Sequence, residues 1–168
     1  MLSLRYEPGF IHEDIVLRDE INNALKDAMK AKDERRVSTL RLVNSSLKNA
    51  DIEASGQGKG PLADEDILGL LQKMIKQRQE SVELYQKGGR PELAKQEQDE
   101  INIISLYLPK QMSDVEAGSA IAQLVHEINA QTMKDMGRVM TALKERYAGK
   151  MDFSKVSAKV KDLLSSKG

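Results

Sequence analysis

Residues 132–164, Thr-Met-Lys-Asp-Met-Gly-Arg-Val-Met-Thr-Ala-Leu-Lys-Glu-Arg-Tyr-Ala-Gly-Lys-Met-Asp-Phe-Ser-Lys-Val-Ser-Ala-Lys-Val-Lys-Asp-Leu-Leu, decide the fold class. At about 100° per residue, Met136, Val139, Met140, Leu143 and Tyr147 share one side of a helix, and Lys134, Arg138 and Lys144 share the other. Thr132 with Asp135 approximates a capping box, in which a hydroxyl takes an amide three residues on and the acid reaches back. Gly149 ends that helix. Asp152 is placed to cap a last helix carrying Phe153, Val156, Val160, Leu163 and Leu164. A glycine within a helix costs about 1 kcal/mol relative to alanine, so Gly137 predicts the close approach of a neighbouring helix or, as the alternative, of a ligand. The tail therefore reads as two short amphipathic helices with charged outer faces and no catalytic group.

The same periodicity runs outward to the beginning of the chain. Ile15, Ile21, Leu25 and Ala28 mark a first helix ending near Lys30, and Asp33 is set to cap a second carrying Val37, Leu40, Val43, Leu47 and Ala50. Ser55-Gly56-Gln57-Gly58-Lys59-Gly60-Pro61 breaks the pattern. It lacks the Gly-Lys-Ser/Thr ending and the preceding strand of a phosphate-binding loop, which leaves a solvated connector. A third helix starts at Asp64, holds Ile67, Leu68, Leu71, Ile75, Val82 and Tyr85, and stops at Gly88-Gly89 through a left-handed residue. Pro91 suits the first turn of a fourth, whose apolar positions continue to Pro109. Two long helices meeting at a Gly-Gly-Arg-Pro corner predict an antiparallel hairpin. Ser113 and Glu116 form a capping box for a fifth helix with Val115, Ile121, Leu124, Val125 and Ile128. The expectation is an all-α protein: a flexible arm over residues 1–12, an N-terminal helical domain with a long hairpin over 13–110, and a C-terminal three-helix bundle over 113–168.

Composition narrows the function. A hydrophobic fraction of 40% with 31% charged residues in 168 suits a globular protein able to bury a core. No cysteine is present, which removes disulfides, thiolate metal sites and cysteine nucleophiles, and makes the cytoplasm the expected compartment. No run approaches the roughly 20 apolar residues of a membrane span, and Met1 to Phe10 lacks the apolar core of a signal peptide. His12 and His126 stand apart, and no His-x-x-x-His spacing occurs, so neither a metal site nor a cofactor is expected. Glu97, Asp99 and Glu100 read as a charge run on an exposed face.

Charge distribution is more informative than its total. Formal net charge is zero, which argues against a general nucleic-acid coat. From Met133 onward, however, nine Lys/Arg stand against four Asp/Glu, with Lys155 and Lys159 opposite Val156 and Val160. Arg35, Arg36, Arg41, Lys48, Lys73, Lys76 and Arg78 extend this into a strip if the two modules face the same way. Single strands are commonly held by stacking on aromatic rings, and aromatics are only 4% of the chain. A folded RNA, recognised by shape through Lys and Arg on its phosphates, fits better.

Several segments resemble the GatB/YqeY family. They are Ser38-Thr39-Leu40-Arg41-Leu42 leading to Lys48-Asn49-Ala50, Leu71-Gln72-Lys73 to Ile75-Lys76-Gln77-Arg78, Tyr107-Leu108-Pro109-Lys110-Gln111, Lys134-Asp135-Met136-Gly137-Arg138-Val139-Met140, the Gly149 to Asp152 turn, and Val156-Ser157 to Leu163-Leu164. Departures are Ala63 at a position where a capping Ser/Thr is usual, and Glu145-Arg146-Tyr147 in place of a more basic run. The resemblance implies an all-helical protein similar to the tail of the B subunit of glutamine-dependent tRNA amidotransferase, a carbon–nitrogen ligase with glutamine as amido donor. That tail contacts the body of the tRNA while separate domains carry the chemistry. By the same resemblance Lys134, Arg138, Lys144, Lys150, Lys155 and Lys159 are the candidate tRNA contacts, and an amidotransferase or synthetase complex is the candidate protein partner. The alternative is an interaction module docking on a translation-related enzyme complex through its hairpin.

Overall fold

The computed structural model describes residues 16–167. The arm over residues 1–12, with His12, and Ile15 of the first helix fall outside them. Among the described residues the secondary structure is wholly helical: α1 (Val16–Lys30), α2 (Glu34–Gly56), α3 (Asp64–Lys87), α4 (Pro91–Ser105), α5 (Asp114–Glu127), α6 (Met136–Tyr147) and α7 (Phe153–Ser165), with a single 3-10 turn (Met133–Asp135) leading into α6. The all-α expectation holds. None of these helices is long and apolar enough to cross a membrane.

Most helix starts follow their capping chemistry. Asp33 accepts the Arg36 amide at 3.1 Å, and Ser113 and Glu116 exchange their two capping bonds at 3.1 and 3.3 Å. Asp152 accepts the amides of Ser154 and Lys155. Ala63 has no oxygen to offer, and only the return half of a box forms there, the Asp66 carboxylate accepting the Ala63 amide at 3.3 Å. At the α3–α4 corner Gly89 takes φ +69°, and the Arg90 amide reaches back to the Tyr85 carbonyl at 2.8 Å. Such a left-handed position costs any residue with a Cβ about 1–2 kcal/mol.

Three sequence expectations are corrected here. Helix α4 stops at Ser105 rather than running to Pro109, and the Leu106, Tyr107 and Leu108 amides make tighter bonds three residues back. The residue before a proline is pushed out of the helical region, so the last turn unwinds ahead of Pro109. Val115 is 80% exposed, because it points outward from the first turn of α5. A Cβ built on Gly137 would meet nothing within 4 Å, so no neighbouring backbone accounts for that glycine.

Among the described residues the apolar interior forms two main clusters. One joins α1 to α4 through Ile21, Leu40, Val43, Leu47, Ile67, Leu71 and Ile104, with α3 lying chiefly against α4 and α1 against α2. The other joins α5, α6 and α7 through Leu124, Val125, Val139, Leu143, Val160 and Leu164. Full burial of such a side chain contributes about 1.5–3 kcal/mol, so each cluster holds its own helices. Beside the first cluster, Arg18 forks onto Asp51 with two 2.9 Å bonds, tying α1 to α2. Asp51 also accepts the Leu62 amide, and these donors hold its carboxyl below the usual range, the Leu62 amide foremost and Arg18 second.

Glu100 overturns the reading of an exposed acidic run on α4. It is 8% exposed and accepts from Arg78 Nε at 2.9 Å, with Arg35 of α2 at 4.0 Å on its other oxygen. Arg78 also donates to the Met74 carbonyl at 3.2 Å. On the turn before, Glu97 has its carboxyl pushed up, by burial first and by the Glu100 charge second, with Arg78 opposing. Two cations of the expected positive strip are thereby consumed inside the fold.

Candidate nucleic-acid interface

The six candidate residues do not converge on one spot. Lys150, in the middle of the α6–α7 turn, and Lys155 and Lys159, one helical turn apart on α7, line a single groove of about 130 Å³ with Gln111, Met112, Asp152 and the start of α5. All three are exposed, and none makes a side-chain ion pair within 4 Å among the described residues. Lys159 reaches the Asp114 backbone carbonyl at 3.5 Å, a long contact that leaves most of its donor capacity to solvent.

Lys134 and Arg138 sit at the opposite end. The 3-10 turn carrying Lys134 abuts the last turn of α7, where the Ser165 hydroxyl donates to Met133 sulfur at 3.6 Å. The ten helical steps from Lys155 to Ser165 separate the two ends by about 15 Å. Lys134 is exposed. Arg138 is engaged in holding the turn: one nitrogen donates to the Ile128 carbonyl at 3.1 Å and the other to Asp135 at 2.8 Å. Asp135 in turn accepts the amides of Gln131 and Thr132 at 2.8 and 3.1 Å. Those two amides first, and Arg138 after them, hold its carboxyl down to about 2. The Lys134-to-Arg138 segment thus fastens the α5–α6 connection. Lys144 lies exposed on the last turn of α6, and its neighbour Arg146 pairs with Glu127 at 2.7 Å.

Where the two clusters adjoin, residues come together that the sequence did not mark as one site. Three consecutive carbonyls of the α6–α7 turn each accept a bond from outside the turn: Gly149 from Gln111 Nε2 at 2.6 Å, Lys150 from the Met112 amide at 2.9 Å, and Met151 from Gln72 Nε2 at 3.0 Å. Gln72 also donates to Gln111 Oε1 at 3.1 Å. Gly149 takes φ +74°, and a Cβ there would stand 3.0 Å from Leu68 Cβ, so both conformation and space require glycine. Lys76 of α3 meets Asp152 at 3.6 Å across the same junction. The signal for this site was the placing of Gln72, Gln111 and Gly149 in three separate segments of the resemblance.

A family model described as Yqey-like protein matches residues 18–164, almost the whole described chain. This chain belongs to the YqeY-like family. The resemblance read from its segments therefore holds. Among curated proteins it is similar to "Altered inheritance of mitochondria protein 41, mitochondrial" of three fungi. It is 37% identical to that of Lachancea thermotolerans over 106 residues, 62% of this chain and 55% of the relative. The figures are 39% over 85 residues for Vanderwaltozyma polyspora, 50% of this chain and 44% of the relative, and 28% over 172 residues for Pyrenophora tritici-repentis, 99% and 90%. The chain spans about half the length of the first two. These names correct the expected cytoplasmic location, since the relatives are named as mitochondrial proteins. An absence of cysteine excludes dependence on disulfides and does not choose between compartments that lack them.

Proposed function

We propose that this YqeY-like protein is a non-catalytic, tRNA-associated helical protein that binds a folded RNA through its C-terminal helices and serves a tRNA amidotransferase or related complex as an accessory part. The observation that supports this reading is the groove in which Lys150, Lys155 and Lys159 stand together, exposed and free of side-chain acids at pairing distance. Lysines held this way contact phosphates as mobile point charges, which suits the sugar–phosphate surface of a folded RNA. Lys134 and Lys144 add outlying contacts. Arg138 acts on the turn it fastens.

Phosphate contacts release counterions, so affinity for tRNA falls steeply with salt, by up to about 0.9 in log–log slope per contact. Mobility-shift titration at two ionic strengths reads that slope. The expected result is steep dependence in the wild type and a shallower one in Lys150→Glu/Lys159→Glu. Absence of a shift at low salt, or a shift that the double variant leaves untouched, sinks the RNA reading and favours docking on a protein partner.

A further inference from the structure

A second concavity, of about 800 Å³, lies between the two apolar clusters. One wall is the polar face of α3, with Gln72, Lys73 and Lys76. The other is the first turn of α7, with Phe153 and Lys155, and the base is apolar, from Ile101, Leu108, Pro109 and Met151. The clasp through Gln72 and Gln111 sets the distance between these walls, so Lys73 and Lys76 face the same opening as Lys155. Three lysines line the cleft against two carboxylates, Glu80 and Asp152. Asp152 is already occupied, capping α7 through one oxygen and meeting Lys76 through the other. That ion pair is solvent-exposed, and such pairs contribute little, so an incoming anion displaces it cheaply.

The combination has a chemical signature. An opening of this size accommodates a body of a few hundred cubic ångströms. Its partly exposed Phe153, Leu108 and Pro109 offer an apolar surface, and its rim offers ammonium groups. A nucleoside phosphate has the matching halves, a flat base with a π-face and an anionic group several ångströms away. We propose that the cleft between α3 and α7 is a nucleotide site, taking the base against Phe153 and its phosphate on Lys73, Lys76 and Lys155. The nucleotide is one splayed from the bound RNA. This inference rests on the RNA reading above, to which it adds a contact from the N-terminal helices. Lys155 belongs to both the small groove and this cleft, which makes the two lysine sets one continuous track.

The test uses the full chain, fluorescently labelled tRNA and AMP as the free-nucleotide probe. Lys73→Glu/Lys76→Gln lowers the salt slope of tRNA binding by about 0.7–1.8, corresponding to one or two lost contacts. Phe153→Leu, which keeps an apolar side chain at the edge of the C-terminal cluster, weakens tRNA binding roughly tenfold through lost stacking. Circular dichroism melts that match the wild type verify folding of each variant. Unchanged binding in both variants, with binding lost in Lys150→Glu/Lys159→Glu, overturns the cleft and leaves the RNA function standing. If wild-type protein binds no tRNA, the function above fails and the AMP arm decides. Saturable amide shifts at Phe153, Ser154 and Lys155, suppressed by Lys73→Glu, then support a site for free nucleotide, and their absence removes it.

Discussion

The helices α1 to α4 and the helices α5 to α7 differ in whether charge enters the interior. In the first group several cations are drawn between helices, Arg78 and Arg35 meeting on the buried Glu100 and Arg18 forking onto Asp51, while others such as Lys73 stay exposed. In the second the interior is apolar, while Lys134, Lys144, Lys150, Lys155 and Lys159 stand outside with no partner acid at bridging distance among the described residues. Equal numbers of cations and anions in the chain conceal this division. Net charge describes solubility; the placing of each pair decides whether a cation supports the fold or remains available to a ligand.

The contrast is sharpest at Glu100. Replacing one partner of a buried pair leaves the other charge uncompensated, at a cost of about 3–4 kcal/mol, so Glu100→Ala should lower the urea midpoint more than any variant below. A loss under about 1 kcal/mol would mean that water reaches Arg78 and would erase the distinction between the two groups. Next comes Gly149→Ala, expected to cost about 2–3 kcal/mol from its left-handed backbone and from the displacement of Leu68. Adding Leu68→Ala should recover the steric share, and a double-mutant cycle measures the recovery.

Smaller again is the acid response of the α5–α6 turn. The folded-state carboxyl of Asp135 titrates at about 2, below the ordinary 3.8. Its contribution is therefore complete above 3.8 and is lost as pH falls toward about 2. Asp135→Asn should flatten the pH dependence of stability in that window, and a carboxyl resonance of Asp135 titrating near 3.8 instead would show that the amides of Gln131 and Thr132 do not hold it. The smallest effect on stability belongs to the unpaired cations. Lys150→Glu/Lys159→Glu should change unfolding free energy by no more than about 0.5 kcal/mol while altering tRNA binding, and a large destabilisation would assign those lysines to the fold.

Local chemistry explains how much of the architecture was legible. Asp33, Ser113, Asp152 and Gly89 announce helix ends through bonds to residues within a few positions, and periodicity picks out the buried sides of α3, α6 and α7. What escaped depends on partners distant in the chain. Glu100 looks like any exposed acid until Arg78, 22 positions away, is folded onto it. Gln72 and Gln111 look like solvated amides until the Gly149 to Met151 turn arrives, 79 and 38 positions on. Arg138 is a candidate RNA contact by the resemblance, and pattern gives no sign that its still-exposed guanidinium also donates to Asp135 and the Ile128 carbonyl. Pattern reports which side of a helix meets water, and says nothing of which acid already waits there.

The glutamine clasp carries a mechanical consequence. Amides and carbonyls bind water almost as well as they bind each other, so parting the α6–α7 turn from Gln72, Gln111 and Met112 would wet polar groups and leave both oily interiors sealed. A greasy seam would resist opening at every step, whereas a polar latch of this kind would part at modest expense, with Leu68 against Gly149 marking its closed position.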